Sequence, residues 1–381
     1  MALTFRIHTS RQKQGYDFPE LALLAEPRVL RDFTSSLHVK GEYVNRPLNG
    51  IRSGVALIAV LAACAAQGAG AQVRGAGATF PEPIYTKWFA AFKQATGISI
   101  DYQAVGSGAG YNALKNHSVD FGASDAPLTP SEEASLSEPV VHIPSVGGAV
   151  AISYNLPGAP QGLKLTSDII AGIFLGHITS WADAKIKALN PGIKFPATAI
   201  QPIHRTDGSG TTYIFTHYLR KANADWAAGP GAGKSVNWPV GLGGKGNQGV
   251  AAELARTSGA IGYVELAYAV SEKLPFAAVR NQSGAFVLPS VKSTTAAINQ
   301  YASELSKDIK TPTVDAPGKG SYPICSLTYI LMYRASAKPE VVKLWNWAME
   351  PAQQSQVTSL YYAPLPGSVV KLNVAALKTV K

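Results

Sequence analysis

The sequence predicts an α/β protein with mainly parallel sheets. After Ala71, short strand-like segments alternate with helix-like segments, a pattern typical of parallel sheets. Apolar residues make up 46% of the 381-residue chain and charged residues only 15%, which is the composition of an ordered globular protein. This length suffices for about two domains with a well-buried core.

The first elements follow one another closely. "EPIYTKWFAAFKQATG" (82–97) places large apolar side chains at helical spacing and ends in a glycine, so it predicts a helix. "ISIDYQAV" (98–105) alternates as a strand does. "GAGYNALKNHS" (108–118) predicts a loop that enters a short helix, and "VDFGASD" (119–125) predicts a strand that ends in a turn.

The later elements continue the alternation. "GGAVAISYN" (147–155) predicts a buried strand, and a turn follows it. "LTSDIIAGIFLGHITSW" (165–181) predicts a capped helix, and "GVAAELARTSGAIGYVEL" (249–266) predicts a helix, a glycine stop and a strand. "AKPEVVKLWNWAME" (337–350) predicts a helix with Pro339 near its N-terminus.

The N-terminal region indicates export. "GVALIAVLAA" (54–63) is too short to span a bilayer and suits the apolar part of a signal peptide, with cleavage predicted after Ala71. "LAAC" ends at Cys64 and resembles a lipoprotein processing site, so a lipid anchor on Cys64 stays open as the alternative. Because the segment before Val44 is long for a signal peptide, we also hypothesise a start at Val44.

Charge and composition exclude several classes of partner. The formal net charge of +10 fits an anionic ligand, but no run of five Lys or Arg occurs, so we expect no nucleic-acid partner. Cys64 and Cys325 are the only cysteines, and the seven histidines form no H-E-x-x-H motif. We therefore expect no disulfide framework, no metal site and no cofactor, with Cys325 as a small buried residue.

Three glycine-rich turns precede predicted helices: "GAGATFPEP" (75–83), "VGSGAGYN" (105–112) and "TDGSGTTYIF" (206–215). The first turn of a helix has unpaired N–H groups and a positive dipole end, which together hold an oxyanion. Each turn alone could be an ordinary helix cap, but three in one chain favour an anion site. "VGLGGKGNQG" (240–249) lacks the spacing of a nucleotide phosphate loop and predicts a plain turn.

Asp125, in "DFGASDAP", indicates which anion could bind. An ionised carboxylate only accepts hydrogen bonds, so it would bond to phosphate, which carries an O–H at neutral pH, and would repel sulfate. The alternative is that Asp125 caps the turn that follows it.

Several segments resemble the periplasmic phosphate-binding proteins of high-affinity ABC phosphate importers. They include "GAGATFPEPIYTKW", "VDFGASDAPLT", "HRTDGSGTTYIFTHYL" and "GAIGYVELAYA". The resemblance implies a two-lobed periplasmic binding protein fold of type II, with a ligand cleft between two α/β domains that crossover strands join. The implied division is an N-terminal extension with signal peptide (1–71), lobe I (72–154 and 322–381) and lobe II (155–321).

The same resemblance implies a phosphate site without metal. Asp125 would be the proton acceptor, and Arg205 would be the cationic donor, oriented by Asp207. The family's ligand groups fall here on Thr79, Phe80 (backbone N–H), Ser107, Asp125, Arg205, Asp207, Ser209, Gly210 and Thr211.

The implied function is transport rather than catalysis. A monomer in the periplasm would bind inorganic phosphate, close its lobes and deliver the ion to the permease subunits of an ABC transporter with a cytoplasmic ATPase. Two alternatives stay open. One is a binding protein for another tetrahedral oxyanion, and the other is a phosphate-ester hydrolase with Ser209 as nucleophile. His204 could be its base, but on a strand its side chain would point opposite to Arg205.

Overall fold

In the computed structural model, which describes residues 72–381, strands and helices alternate and the α/β class is confirmed. The predictions for the signal segment, Cys64 and the cleavage point at Ala71 lie outside the described residues. The strands are β1 (Gln72–Gly77), β2 (Ser99–Ala104), β3 (Phe121–Ser124), β4 (Val140–Asn155), β5 (Lys164–Leu165), β6 (Gln201–Arg205), β7 (Leu242–Gly244), β8 (Ala260–Glu265), β9 (Ala278–Arg280), β10 (Phe286–Val287) and β11 (Cys325–Tyr333).

Helices connect most of these strands, and a 3₁₀ turn occupies Val357–Leu360. The α-helices are α1 (Glu82–Thr96), α2 (Ser107–Lys115), α3 (Pro130–Ala134), α4 (Ser167–Phe174), α5 (Ala184–Leu189), α6 (Gly210–Ala222), α7 (Ala224–Ala228), α8 (Gly246–Arg256), α9 (Leu266–Ser271), α10 (Val291–Gln300), α11 (Ala302–Lys307), α12 (Pro339–Ala348), α13 (Pro351–Gln356) and α14 (Gly367–Leu377).

Eight strands form one large sheet in the order β2-β1-β3-β11-β4-β8-β6-β7, and β10-β9-β5 form a small one. In the large sheet, β1 is parallel to β2 and β3, and β6 is parallel to β7 and β8. The pairs that involve β11 or β4 are antiparallel. The prediction of mainly parallel sheets is therefore right toward the two edges and wrong in the middle.

The long strand β4 joins the two parts of the large sheet. Residues Val140 to Ala149 pair with β11, and residues Val150 to Asn155 pair with β8. We call the strands on the β11 side the first half-sheet and those on the β8 side the second half-sheet. Strand β3 is antiparallel to β11 and so runs in the direction of β4, whereas β8 runs against β4, and the carboxyl ends of β3 and β8 therefore face each other near the middle of β4.

The sequence predicts only the second part of β4, because Pro144 interrupts the strand pattern. In the structure Pro144 lies opposite Tyr329, next to a register shift between Thr328 and Tyr329. A proline without an N–H is tolerated where the ladder is already irregular. The strand therefore begins at Val140 rather than at residue 147.

Helix α1 confirms its prediction, while α4 is shorter than predicted. The side chains at helical spacing in α1 are buried, and Gly97 ends the helix with a left-handed φ of 75°. Helix α4 begins after Thr166, whose hydroxyl accepts the Ile169 N–H at 3.3 Å. It ends at Phe174 because the chain turns at Gly176, where φ is 79°.

Each half-sheet has its own aromatic core. The Trp345 ring lies 5.3 Å from Tyr85 and 5.5 Å from Phe121 on the first half-sheet, measured between ring centroids. On the second half-sheet, Phe215 stacks on Tyr263 at 4.4 Å. Burial of such rings contributes much of the driving force of folding.

Cys325 is buried at the start of β11, as predicted, and its Sγ donates to the Tyr322 carbonyl at 3.4 Å. Burial raises the pKa of its thiol to about 12. At neutral pH this side chain is therefore an uncharged thiol that packs as a small apolar group.

Residues 291–321 pack against elements that belong to both half-sheets. Helix α10 contacts β4 and β11, and α11 contacts α14. The Lys221 ammonium on α6 donates to the carbonyls of Val314 and Asp315 at 3.2 and 3.3 Å. The lobe boundary at 321/322 stays a prediction.

Across residues 72–381, no helix combines the length and the apolar character that crossing a bilayer requires.

Gly110 provides a test of how α2 packs on β1. A Cβ there would lie 2.4 Å from the Gly77 Cα and 2.7 Å from the Ala76 carbonyl oxygen. Alanine normally stabilises a helix by up to ~1 kcal/mol relative to glycine, but we expect Gly110→Ala to destabilise the protein by about 1–3 kcal/mol through this backbone clash. Thermal unfolding checks this. Gly367→Ala in α14, where a Cβ meets open space, is the control, and equal melting temperatures of the two variants would contradict the packing.

Candidate anion-binding site

The candidate site lies where strands end and helices begin. Strands β1, β2, β6 and β7 lead into α1, α2, α6 and α8, and β3 ends beside them. Ligands of open α/β sheets bind at the carboxyl ends of strands. The predicted site residues Thr79, Phe80, Ser107, Asp125, Arg205, Ser209, Gly210 and Thr211 are buried there, and Asp207 is half-buried.

Two of the predicted turns touch each other across the halves. The Gly108 N–H donates to the Gly208 carbonyl at 2.8 Å, and the Gly210 N–H donates to the Ser107 hydroxyl at 3.1 Å. A Cβ at position 210 would lie 2.4 Å from Oδ2 of Asp125, so only glycine fits without displacing that carboxylate. Both turns can therefore contact one small ligand.

The Arg205 guanidinium is buried and held in a fixed orientation. Its Nε and Nη2 donate to the two carboxylate oxygens of Asp207 at 2.8 and 2.5 Å, and its Nη1 donates to the Thr211 hydroxyl at 3.2 Å. A bidentate pair fixes the plane of the guanidinium. Burial alone would raise the pKa of Asp207, but the hydrogen bonds and charge of Arg205 bring it below its usual value.

Asp125 is a carboxylate at the end of β3 that is only 1% exposed. Its Oδ1 accepts the Thr328 hydroxyl at 2.7 Å. Burial raises the pKa of Asp125 to about 7, although the Thr328 hydrogen bond and the charge of Arg205 lower it. The alternative role as a cap is wrong, because Thr129 caps α3 by accepting the Glu132 N–H at 3.2 Å.

Ser209 caps α6, and its hydroxyl accepts the Thr212 N–H at 3.0 Å. The hydroxyl proton of Ser209 can still donate to a ligand. The His204 ring stacks on Trp238 with centroids 4.8 Å apart, and its Nδ1 lies 3.1 Å from the Arg205 carbonyl oxygen. The described contacts of His204 are therefore with Trp238 and the backbone rather than with Ser209.

Asn247 is a site residue that the sequence analysis missed. Its Nδ2 donates to the hydroxyls of Thr79 and Thr211 at 2.9 and 3.1 Å, so one amide joins both halves. The prediction of a plain turn over 240–249 is wrong, because this segment contains β7 and the start of α8. Its pattern matches the other three turns, but Lys245 stands where a Ser or Thr cap would be recognised.

Together these groups suit a small oxyanion that carries a proton. The donors are side-chain hydroxyls, one guanidinium and the N–H groups at four helix N-termini, while Asp125 is an acceptor. No three His, Cys, Asp or Glu side chains within residues 72–381 are grouped so that they would hold a metal ion.

Comparison with known proteins identifies the family. Residues 64–351 match the family model described as the PBP superfamily domain. The chain is 41% identical over 307 residues to the phosphate-binding protein PstS of Xylella fastidiosa strain Temecula1, covering 79% of this chain and 83% of that protein. It is 40% identical over 312 residues to PstS of Haemophilus influenzae, covering 81% and 92%. The chain belongs to the PstS family.

Solved structures agree with the fold of this PstS-family chain. The high-affinity periplasmic phosphate-binding protein PfluDING, bound with phosphate at pH 8.5, has a TM-score of 0.66 at 21% identity, covering 80% of this chain and 93% of that chain. A putative phosphate ABC transporter substrate-binding protein from Clostridium perfringens has a TM-score of 0.55 at 17% identity, covering 77% and 100%. The two-lobed type II periplasmic binding protein fold is thus confirmed.

Asp125 should make the ligand-free PstS-family chain less stable as pH rises. Its pKa is about 7 in the folded protein and near 3.8 ordinarily, so the folded state binds more protons between these values. Stability from this group is therefore lost as pH increases through this range, by roughly 1.4 kcal/mol for each unit of pKa shift.

We therefore expect Asp125→Asn to raise the melting temperature by several degrees near pH 8 and to change it little near pH 4. Thermal unfolding of ligand-stripped protein checks this, with the exposed Asp101→Asn as control. An Asp125→Asn variant that is less stable at both pH values would show that the carboxylate stabilises the fold.

Proposed function

We propose that this protein binds inorganic phosphate outside the cytoplasm and delivers it to the permease of an ABC-type phosphate importer. The observation that carries the proposal is the buried carboxylate of Asp125, set among hydrogen-bond donors. The names of the curated relatives, phosphate-binding protein PstS, support the same ligand.

Phosphate and sulfate differ in the protons that they carry near Asp125. Phosphate at neutral pH carries at least one O–H, and sulfate carries none. An ionised Asp125 accepts that proton in a hydrogen bond, whereas it faces sulfate with lone pairs only. Sites built around such a bond discriminate by roughly 10⁴–10⁵. Binding of phosphate is thus favoured over binding of another tetrahedral oxyanion.

The proposed ligand groups come from both halves. The hydroxyls of the site and the N–H groups of Phe80 and Gly210 would donate to phosphate oxygens, Arg205 would supply the positive charge, and Asp207 would orient it. Asn247 would orient the hydroxyls of Thr79 and Thr211 through its amide. The full set is Thr79, Phe80, Ser107, Asp125, Arg205, Asp207, Ser209, Gly210 and Thr211.

The proposed lobes are 72–154 with 322–381 and 155–321, and β4 would be one of the crossovers. Closure of the lobes would exclude water and strengthen each hydrogen bond, and the permease, with its cytoplasmic ATPase, would recognise the closed form. We propose a periplasmic monomer, with a signal peptide cleaved after Ala71 or a lipid on Cys64 as the alternative.

A binding role is favoured over hydrolysis of phosphate esters. A serine nucleophile needs a base within hydrogen-bond reach, and the candidate base His204 stacks on Trp238 instead. The Ser209 hydroxyl accepts the Thr212 N–H as a helix cap, which leaves its proton available to donate to a bound anion. We therefore propose that the protein is not an enzyme and uses no cofactor.

Isothermal titration of residues 72–381, stripped of ligand, tests the proposed function. We expect one phosphate to bind per chain near pH 8 and sulfate to give no signal, because ionised Asp125 accepts only from a protonated anion. Asp125→Asn should gain affinity for sulfate, since the amide can donate, while Asp101→Asn should behave as wild type. A folded protein that ignores phosphate would refute the proposal.

The rejection of sulfate should also depend on pH. As pH falls through about 7, Asp125 takes up a proton and becomes a donor, so the ratio of sulfate to phosphate affinity should rise below that pH. In Asp125→Asn this ratio should change less, and only through the titration of phosphate itself. A ratio in the wild type that does not change between about pH 5 and pH 8.5 would assign the discrimination to another group.

An ion pair across the two halves would stabilise closure. Lys234, between α7 and β7, pairs with Glu132 on α3, and the two side chains are only 18% and 19% exposed. The Lys234 ammonium also lies 5.4 Å from the centroid of the Tyr111 ring. Its carbonyl accepts the Ser209 N–H at 2.8 Å, which connects the pair to the proposed site.

We expect Lys234→Met to speed phosphate release about tenfold while association changes less, because the lost pair joins the two halves beside the proposed site. Stopped-flow displacement measures both rates. The reversed pair Lys234→Glu with Glu132→Lys should restore slow release, and Arg256→Met, which breaks a pair within α8, is the control. Release unchanged in Lys234→Met would exclude a role in closure.

A further inference from the structure

Glu265 is a buried carboxyl beside the candidate site that the proposed function does not use. It ends β8 opposite Val150, where β4 passes from one half-sheet to the other, and it is 0% exposed. Its N–H donates to Oδ1 of Asn247 at 2.9 Å, and its Oε2 accepts the Ala267 N–H at 2.7 Å. Its Oε1 has no hydrogen-bond partner among the described residues.

The contacts of Tyr362 indicate the protonation state of Glu265. The Tyr362 hydroxyl has one proton and faces two acceptors, the Phe80 carbonyl oxygen at 2.6 Å and Oε2 of Glu265 at 3.2 Å. The proton belongs to the shorter bond, so a lone pair of Tyr362 faces the carboxyl. Only a carboxyl that carries its own proton can then donate to Tyr362.

Charge leads to the same conclusion. An ionised Glu265 would leave a charged oxygen buried without a partner, whereas a neutral acid leaves only a carbonyl oxygen unpaired, at a much smaller desolvation penalty. The titratable and charged groups that act on Glu265, Tyr362 or Tyr268 are these three residues themselves, Asp125, Glu82 and Arg205. Burial raises the pKa of Glu265 well above its usual value, although hydrogen bonds with the N–H groups of Ala267 and Leu266 and with Tyr362 lower it, and the negative charge of Asp125 raises it further.

Two tyrosine hydroxyls near Glu265 contact the turn before α1. The Tyr268 hydroxyl lies 2.7 Å from the Thr79 carbonyl oxygen and 2.8 Å from Oε2 of Glu82, and the Tyr362 hydroxyl donates to the next carbonyl, that of Phe80. These two carbonyls belong to the residues whose hydroxyl and N–H are proposed to bind phosphate. Glu265 therefore acts on the proposed site through Tyr362 without touching the ligand.

We propose that Glu265 is a neutral hydrogen-bond donor to Tyr362 and a positioning residue for phosphate binding, holding the Thr79–Phe80 turn across the junction of the halves. The positioning role rests on the proposed function, while the protonation does not. Glu265→Gln keeps a neutral donor toward Tyr362 but gives up the bond from the Ala267 N–H, so it should weaken phosphate binding less than Glu265→Met does. Glu265→Met and Tyr362→Phe remove the bond and should weaken binding about five- to tenfold.

Infrared spectroscopy of ligand-stripped protein near pH 8.5 tests the protonation directly. We expect a carboxylic-acid C=O band that persists in Asp125→Asn and disappears in Glu265→Gln. Glu253→Gln, which alters an acid paired with Arg256 on α8, is the control and should keep the band. The band is also recorded in the wild type and in Asp125→Asn, so a protonated carboxyl can still be detected if a Glu265 variant fails to fold.

The outcomes separate the two proposals. A band lost only with Glu265, together with a smaller loss of phosphate binding in Glu265→Gln than in Glu265→Met, supports the inference. No protonated-acid band, or equal weakening by Glu265→Gln and Glu265→Met, overturns it. A wild type that binds no phosphate would refute the proposed function and the positioning role, but the band would still decide whether Glu265 carries a proton.

Discussion

The antiparallel pairing of β4 with a different strand on each part of its length is the constraint on which the site depends. Strand β11 is antiparallel to both β3 and β4, so β1, β2 and β3 run in the direction of β4, whereas β6, β7 and β8 run against it, and the two groups point toward the middle of β4. Their carboxyl ends, and the N-termini of the helices that follow, therefore converge on one place. A sheet that was parallel throughout would put all these ends on one edge, with no opposed donors.

The convergence of strand ends and helix N-termini buries ionisable side chains at the site, and burial of charge is energetically unfavourable. Arg205 and Asp125 are nearly inaccessible to water, and a buried charge reduces stability unless other groups compensate it. Asp207 accepts two hydrogen bonds from Arg205 and so compensates its buried charge. The hydrogen bond from Thr328 compensates the charge of Asp125 only in part. The aromatic cores of the two half-sheets contribute stability that offsets this cost, and the proposed binding of phosphate would account for a carboxylate that does not stabilise the fold.

The sequence allowed prediction of those parts of the site that depend on neighbours in the chain. A strand, then small residues, then a helix is a local pattern, whereas the Arg205–Asp207 contact was expected from the resemblance to phosphate-binding proteins. The bond from Thr328 to Asp125 spans 203 positions and that from Asn247 to Thr79 spans 168, and each requires the pairing of β4 to be known. That pairing was hidden by Pro144, which made the first part of β4 resemble a loop.

Asp125 and Glu265, the two most deeply buried carboxyls near the site, would then differ in charge. Asp125 would be ionised when phosphate binds, and Glu265 would be neutral. Asp207 already balances the charge of Arg205, so an ionised Asp125 leaves the site with no surplus positive charge, and an anion must be held mainly by hydrogen bonds and helix dipoles. A second ionised carboxyl at Glu265 would add negative charge beside the proposed anion site. The neutral state inferred for Glu265 from its contact with Tyr362 is therefore also the state that favours binding of an anion.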